Sequence, residues 1–129
     1  MNTSSFFIPN KALFGSYPSD EALKELEANG VKTFVNLTEA DENLIPYKIA
    51  SENNIINYPI KDRKIPRNIL TFSLLIIKIH NIIQNLSNND KIYIHCRGGH
   101  GRAGIVVACY LCYSQNISPE EALKLTTEI

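Results

Sequence analysis

The sequence carries no net charge at neutral pH, because its 13 Lys and Arg residues balance its 13 Asp and Glu residues. This balance excludes the global positive field with which proteins that bind nucleic acid or anionic membranes non-specifically attract their partners. Any preference for anions must therefore be local. The chain also lacks repeats and low-complexity linkers, and its 129 residues, 44% of them hydrophobic, predict one compact domain over 1–129.

Long hydrophobic runs are absent as well. The first 15 residues contain no basic segment followed by an apolar stretch, and the most apolar region, 69–83, is interrupted by Lys78, His80 and Asn81. We therefore expect neither a signal peptide nor a membrane span. His80 itself is interpreted as a surface or packing residue.

Cysteine is sparse in this chain. The chain has three cysteines, Cys96, Cys109 and Cys112, which is an odd number and lacks the spacing of an extracellular disulfide framework. This pattern predicts free thiols in a reducing, cytoplasmic compartment. Cys109 and Cys112 have the C-x-x-C spacing of redox and zinc sites. They lie in the middle of a predicted helix with no second ligand pair, so core packing is the preferred interpretation. We expect no metal and no cofactor.

What the sequence does contain is an alternation of strand-forming and helix-forming segments. Ser19 and Ser118 have the position and following acidic residues of helix N-caps. The alternation predicts a single-domain α/β fold, with a mostly parallel central sheet flanked by helices. Strands are expected near 6–8, 12–14, 31–37, 55–60 and 91–94, and helices over 20–28, 44–53, 67–86 and 103–115 and from 119 onward, with a polar loop at 61–66.

The run HCRGGHGRAG, residues 95–104, lies between the last predicted strand and an apolar helix. In an open α/β sheet, ligands usually bind beyond the carboxyl ends of the strands, where this run begins. Its three glycines allow backbone N–H groups to converge on one point, and the following helix adds the positive end of its dipole. The segment predicted to bind substrate, as a cradle for a tetrahedral dianion, is Arg97, Gly98, Gly99, His100, Gly101 and Arg102.

Two side chains of this run supply reactive chemistry. Cys96 lies at the mouth of the predicted cradle, where amides and a helix N-terminus favour the nucleophilic thiolate. Arg102 offers a planar pair of donors that can grip two phosphate oxygens. No Gly-Lys-Ser/Thr ends the run, which excludes a Walker loop, and a cysteine occupies the turn that a dinucleotide fingerprint would need. The alternative is a tight glycine turn with a buried cysteine.

HCRGGHGRAG resembles the signature loop of the cysteine-dependent protein tyrosine phosphatases, especially their small dual-specificity branch and the kinase-associated phosphatases. The segments TFVNLTEAD, NYPIKDRKIP and ISPEEALK are similar to segments that this branch carries in the same order. The resemblance implies that Cys96 attacks phosphorus to form a phosphocysteine, which water then hydrolyses. It also implies further helix after the last segment, and leaves open whether the chain is naturally short or lacks C-terminal helical residues.

Asp62 matches the aspartate that this family places on a mobile loop as the general acid, because it follows Tyr58-Pro59-Ile60 and precedes Pro66. The residues alone agree, since Asp62 lies on a loop directly after a predicted strand and among cations. The alternative is a solvated loop carboxylate. His95 is a supporting residue that tunes the thiolate by hydrogen bonding, as its family counterpart does, or has a plainly structural role.

Ala103 departs from the family pattern, which has serine or threonine after the arginine. In the family, that hydroxyl helps the cysteine leave during hydrolysis of the phosphoenzyme. The resemblance therefore implies a slow second step here.

The favoured function is a phosphatase acting on phosphoproteins, with phosphotyrosine as substrate and phosphoserine and phosphothreonine as further candidates. The expected partner is a phosphorylated protein or another phosphomonoester, while the oligomeric state is open. The alternatives are a phosphatase of phosphoinositides, inositol polyphosphates or RNA 5′ phosphates, and a phosphate-binding pseudophosphatase. Six potentially cationic residues are candidates to surround one pocket: Lys61, Arg63, Lys64, Arg67, Arg97 and His100.

Overall fold

A computed structural model describes residues 4–99 and 101–128. Within these ranges five strands form one sheet, in the order β1, β2, β5, β3, β4, in which β1 runs antiparallel to β2 and all other pairs are parallel. The predicted α/β fold with a mostly parallel sheet is confirmed. The strands β1 to β5 are Ser4–Ile8, Ala12–Gly15, Val31–Asn36, Asn54–Asn57 and Lys91–His95, and the helices α1 to α4 are Asp20–Ala28, Ile69–Gln84, Arg102–Gln115 and Pro119–Glu128.

Side chains alternate between the two faces of the sheet and so build two hydrophobic layers. On strand β5, Ile92 and Ile94 pack with helices α2 and α3, while Tyr93 packs on the opposite face with Leu23 and Leu26 of α1. This is the period of two that a β-strand imposes. Helix α4 packs outside the sheet, against α3. Helices therefore cover both faces of the sheet, and the edge at which the parallel strands end is left for a site.

Polar caps fix where the helices begin. The Ser19 side chain accepts a hydrogen bond from the Ala22 amide at 3.1 Å, so α1 begins where the sequence predicts. Asn68 caps α2 in the same way, accepting from the Thr71 amide at 2.9 Å. Helix α2 therefore begins at Ile69, two residues after the predicted start at Arg67.

The predicted helix over 44–53 is wrong. The segment has no regular helix, and a short 3-10 helix at Ala40–Glu42 precedes it instead. Tyr47 and Ile49, two positions apart, both pack on the hydrophobic layer beside α1, which is the spacing of an extended chain. Glu27 of α1 also holds the segment, since its carboxylate accepts a hydrogen bond from the Ala50 amide at 2.8 Å. Pro46 adds to this by disfavouring helical backbone at the residue before it.

Helix α2 is apolar on its outer surface as well as on its core face. Leu75, Ile79 and Ile83 are buried, whereas Ile69 and Leu70 are 81% and 69% exposed. Across the described ranges, no helix is both long enough and apolar enough to cross a membrane.

Candidate active site

The glycine-rich loop rests on the chain that follows strand β2. The Cys96 amide donates to the Gly15 carbonyl at 3.4 Å, and the Tyr17 amide donates to the Arg97 carbonyl at 3.1 Å. Gly99 has φ of +93°, and a Cβ atom at this position would lie 2.8 Å from the backbone of both Gly15 and Ser16. Only glycine fits this close approach of two backbones. The loop is therefore held in place from the side of β2.

The Cys96 thiol lies at the carboxyl end of β5 and is almost fully buried, with 2% of the residue exposed. The Gly99 amide points at it, with 3.3 Å between the nitrogen and Sγ. Helix α3 begins at Arg102 and opens from the same loop. An amide donor and a helix N-terminus so placed stabilise negative charge on the sulfur. His100, which the sequence assigns to this loop, lies outside the described residues.

Arg102 is buried at the start of α3, and its side chain pairs with a residue that the sequence analysis did not single out. Nη1 and Nη2 lie 2.7 Å and 2.9 Å from the two carboxylate oxygens of Glu42, which makes the pair bidentate. Nη1 also donates to the Ile60 carbonyl at 2.8 Å. The edge of the guanidinium formed by Nη1 and Nη2 is therefore occupied by Glu42.

A guanidinium has a second two-donor edge, formed by Nε and Nη2. The Nε atom of Arg102 is buried and has no hydrogen-bond partner among the described residues. A buried donor of this kind is costly unless a ligand satisfies it. The edge that carries Nε, with its unpartnered donor, is thus the part of Arg102 that suits a tetrahedral anion.

Glu42 and Arg102 stabilise each other's charged forms. The hydrogen bond to Arg102 lowers the pKa of the Glu42 carboxyl, against the opposing effect of burial. The same hydrogen bond raises the pKa of Arg102. A signal for Glu42 does exist in the sequence: a buried arginine needs a counter-ion, and Glu42 follows strand β3, which pairs with β5. That signal cannot distinguish Glu42 from Glu39 or Asp41, the two acids that come just before it in the sequence.

The structure brings Asp62 to the same place. Its Oδ1 lies 3.4 Å from Nη2 of Arg102, and 53% of its side chain is exposed. Asp62 thus combines contact with the buried arginine and access to solvent. A carboxyl in this position can meet an incoming substrate, which favours the general-acid interpretation over that of a solvated surface carboxylate.

His95 is fully buried beneath the loop and bonds on both sides of its ring. Nε2 lies 2.6 Å from the Tyr47 hydroxyl, and Nδ1 lies 3.3 Å from the Cys96 carbonyl. Burial, together with the nearby Arg102 charge and against the opposing hydrogen bond to the Cys96 carbonyl, lowers the pKa of His95 to about 4. The imidazole is therefore neutral at neutral pH, and it contacts the backbone of Cys96 rather than the sulfur. Tyr47 carries no sequence signal, because its place depends on the extended chain around it.

The candidate cations do not surround one pocket. Arg97, Lys61 and Asp62 line one cavity of about 560 Å³, called here the Arg97 cavity. Lys64 and Arg67 do not line it; together with Lys61 they line a neighbouring cavity. The expectation of a single ring is wrong for Lys64 and Arg67, which line the neighbouring cavity instead.

The remaining singled-out residues pack as the sequence predicts. Cys109 and Cys112 are half-buried on α3 against the main hydrophobic layer, and all three cysteines are free. Burial raises the pKa of the Cys109 thiol. Nδ1 of His80 lies 3.3 Å from the Tyr110 hydroxyl, between α2 and α3. Ala103 is fully buried in the first turn of α3, directly below the loop.

Comparison with known proteins agrees with this geometry. A family model described as "PTP-SAK: Swiss Army Knife protein, DSP-PTPase phosphatase domain" matches residues 1–128. The chain belongs to this phosphatase family. Membership in the family, and the likeness to its dual-specificity branch that the signature loop indicates, are confirmed.

Individual family members are similar over nearly the whole chain. "Putative tyrosine phosphatase 067L" of Invertebrate iridescent virus 3 is 46% identical over 125 residues, covering 97% of this chain and 52% of the viral protein. This chain therefore spans about half the length of that relative. The crystal structure of Tk-PTP in its active form superposes with a TM-score of 0.82 at 25% identity, covering 98% of this chain and 83% of the other. Kinase-associated phosphatase superposes with a TM-score of 0.75 at 23% identity, covering 92% and 74%, which shows a shared fold.

Proposed function

We propose that this phosphatase domain, residues 1–129, hydrolyses phosphate monoesters on proteins through a phosphocysteine at Cys96. Phosphotyrosine is the favoured substrate, with phosphoserine and phosphothreonine as further candidates. The observation that carries the proposal is the placement of three groups at one edge of the sheet. They are the Cys96 thiol that faces the Gly99 amide, the unpartnered Nε donor of Arg102, and Asp62 beside that arginine.

In the first step, the Cys96 thiolate donates an electron pair to phosphorus and forms the S–P bond. The P–O ester bond breaks, and the leaving oxygen takes a proton from Asp62. Arg102 holds two equatorial oxygens through Nε and Nη2, and the loop amides hold the third. In the second step, water gives its proton to Asp62 and attacks phosphorus, and the S–P bond breaks to restore the thiolate.

A mixed apolar and cationic cavity beside the loop supports a peptide substrate. Tyr17, Leu44, Ile45 and Tyr47 line it together with Arg97 and one acid, Asp20, and its volume is about 560 Å³. Aromatic and aliphatic walls suit the ring of phosphotyrosine or a neighbouring peptide side chain, while Arg97 offers a charge to the phosphate. The mechanism also requires a free thiol, so we place the domain in a reducing, cytoplasmic compartment.

Release of inorganic phosphate from a substrate panel tests the proposal. The panel contains phosphotyrosine, phosphoserine and phosphothreonine peptides, a phosphoinositide and an RNA 5′ phosphate. We expect phosphotyrosine peptides to have the highest kcat/KM, Cys96→Ser to abolish release, and Asp62→Asn to lower kcat about 100-fold. Faster phosphate release from the phosphoinositide or the RNA than from the peptides would show that the substrate is a lipid or RNA phosphate instead of a phosphoprotein. Ala103 favours a second candidate function, a phosphate-binding module without catalysis. This second candidate is supported if the wild type and Cys96→Ser bind phosphopeptides equally and neither releases inorganic phosphate.

A further inference from the structure

Helix α2 carries a second apolar stripe, on the side that is turned away from the core. Leu70, Leu74 and Ile77 follow one another at i, i+4 and i+7, and all three are exposed. Leu75 and Ile79 form the buried stripe on the other side of the helix. A surface helix of a globular protein is usually polar on its outer side. A contiguous exposed row of aliphatic side chains instead marks a surface that contacts another apolar body.

The apolar surface extends beyond the start of the helix. Ile69 is the first residue of α2, and Ile65, in the loop before it, is 70% exposed. Ile65 lies beside the first turn of the helix, because it lines one cavity together with Asn68. We call the five exposed side chains the α2 ridge: Ile65, Ile69, Leu70, Leu74 and Ile77.

The charged residues around the α2 ridge have one sign. Residues 63–89 contain four Lys and Arg residues and no Asp or Glu. All four are exposed, and none of them forms a salt bridge with any residue that the structure describes. In a chain without net charge, this is a local concentration of positive charge beside exposed aliphatic side chains. The four cations are Arg63, Lys64, Arg67 and Lys78.

A convex apolar ridge among cations matches the surface of an anionic lipid bilayer. Aliphatic side chains enter the boundary between headgroups and acyl chains, while Lys and Arg reach the lipid phosphates with their long side chains. A second copy of the chain is disfavoured. Two antiparallel α2 helices that cross at Leu74 would place Lys78 of one copy beside the end of the helix that carries Arg67 in the other. Residues 63–89 offer no acid to separate these like charges.

The α2 ridge begins next to the proposed catalytic groups. Helix α2 connects the parallel strands β4 and β5, so it starts at the carboxyl edge of the sheet, where Cys96 lies. Its first turns are held by the chain that follows β4. The Tyr58 hydroxyl lies 2.9 Å from the Thr71 hydroxyl, and the Tyr58 ring contacts Phe72. A domain that rests on the α2 ridge therefore keeps the cradle beside the bilayer surface.

We propose that the α2 ridge and its four cations dock this domain on an anionic lipid bilayer, with α2 lying in the plane of the interface. The inference goes beyond the proposed function and does not depend on it, because docking requires no catalysis. The lipid is the docking surface, and the phosphate in the cradle still belongs to a protein. Docking restricts the substrates to phosphorylated proteins that are held at the same surface.

Co-sedimentation with vesicles tests the proposal. The vesicles consist of phosphatidylcholine alone or of phosphatidylcholine mixed with phosphatidylserine. We expect the wild type to sediment with the mixed vesicles only, and less of it as the salt concentration rises. Leu70→Gln/Leu74→Gln should lower the partition coefficient about tenfold, because two aliphatic side chains no longer leave water. Lys64→Ala/Arg67→Ala should lower it by a similar factor, since each cation near an anionic surface adds to binding.

Matched control variants remove equivalent side chains from other helices. Leu123→Gln changes a leucine of α4 that is 53% exposed, and Lys24→Ala/Lys124→Ala removes exposed cations of α1 and α4. Both controls should sediment as the wild type does. Leu70→Gln/Leu74→Gln should also release phosphate from a soluble phosphopeptide at the wild-type rate, which verifies its fold. Absent phosphate release by the wild type would contradict the proposed function alone and leave the sedimentation result to decide docking.

Three results would overturn the proposal. The first is a wild type that does not sediment with the mixed vesicles. The second is equal sedimentation of the wild type and Leu70→Gln/Leu74→Gln, or binding of the wild type to soluble polyglutamate as tight as to vesicles, which would reduce the interaction to charge. The third is a dimer in place of vesicle binding, detected by analytical ultracentrifugation and dissociated by Leu70→Gln/Leu74→Gln, which would make the occupant of the α2 ridge a second copy.

Discussion

Arg102 carries a permanent charge at a position that is 3% exposed, and a charge buried so deeply requires a partner. Glu42 supplies that partner on one edge of the guanidinium and leaves the Nε donor without a partner among the described residues. We therefore regard Glu42 as a positioning residue, which acts on substrate through Arg102. Without it, Asp62 is the nearest carboxylate and would be drawn toward the arginine.

Glu42→Gln removes the negative charge at nearly constant volume. We expect the free energy of unfolding to fall by about 3 kcal/mol, because a buried cation is left unpaired. KM for a phosphopeptide should rise, since Arg102 is no longer oriented, and orthophosphate should for the same reason raise the Tm of the variant less than that of the wild type. Thermal denaturation and steady-state kinetics measure both effects. Asp41→Asn, an exposed neighbour, is the control, and equal behaviour of the two variants would contradict the assignment.

The burial of His95 makes the free energy of unfolding depend on pH. Its pKa is about 4 in the folded protein, against an ordinary value of 6.5. Between these values the unfolded chain binds more protons than the folded one, so stability falls as the pH is lowered from about 6.5 to about 4. The loss of unfolding free energy should approach about 3 kcal/mol. Urea denaturation across this window measures it. A flat profile would show that His95 is not buried as a neutral imidazole.

Ala103 predicts the kinetics of the second step. Because no hydroxyl stands next to Arg102 to help the thiolate leave, phosphoenzyme hydrolysis should limit turnover. Stopped-flow measurements with an aryl phosphate should show a burst of phenol release, and Ala103→Ser should raise the steady-state rate and reduce the burst. Absence of a burst together with no gain from serine would contradict this account.

At the scale of elements, strand β5, the glycine-rich loop and helix α3 form one unit that rests against the end of β2. Gly99 is the point of contact, since its positive φ and its approach to Gly15 and Ser16 exclude a side chain. A methyl group at Gly98, in contrast, would meet no atom within 4 Å. Two adjacent glycines therefore have different requirements.

Gly99→Ala should displace the loop from β2 and lower kcat/KM about 100-fold, the usual cost of moving a reacting group by about an ångström. Gly98→Ala adds a methyl group to open space and should cause a much smaller loss. Phosphopeptide kinetics on both variants, together with circular dichroism to verify folding, tests the difference. Equal losses would mean that the close approach to Gly15 does not position the loop.

The elements also show which predictions a sequence supports. Helix α1, strand β5 and helix α3 follow from caps, apolar periodicity and glycine positions, all of which are local signals. The extended chain around Tyr47 does not, because Glu27 and the ring of His95 hold it from distant parts of the sequence. Tertiary contacts of this kind override local helix propensity.

At the scale of the whole molecule, the site combines residues from the segments that follow three neighbouring strands, β5, β3 and β4. Cys96 and Arg102 could be predicted from a single contiguous motif, and Asp62 from its loop and its resemblance to a family segment. Glu42 could not, because its pairing with Arg102 depends on β3 lying beside β5 in the sheet.

Zero net charge conceals a polarised surface at the carboxyl edge of the sheet. Glu42 and Asp62 neutralise Arg102 there, whereas the neighbouring cavity is lined by three cations, Lys61, Lys64 and Arg67, and by one acid, Glu39. A phosphorylated partner would thus be attracted locally, without a long-range field. This arrangement predicts that phosphopeptide affinity falls with rising salt while the protein retains no general affinity for polyanions.

The central claim is that Cys96 carries the phosphoryl group during turnover. Acid quenching of the wild type during reaction with a phosphotyrosine peptide, followed by mass spectrometry of the fragment that contains Cys96, tests it most directly. We predict phosphate on Cys96 in the wild type, more of it than in Ala103→Ser, and none in Cys96→Ser. Sustained phosphate release with no phosphocysteine at any quench time would contradict the account.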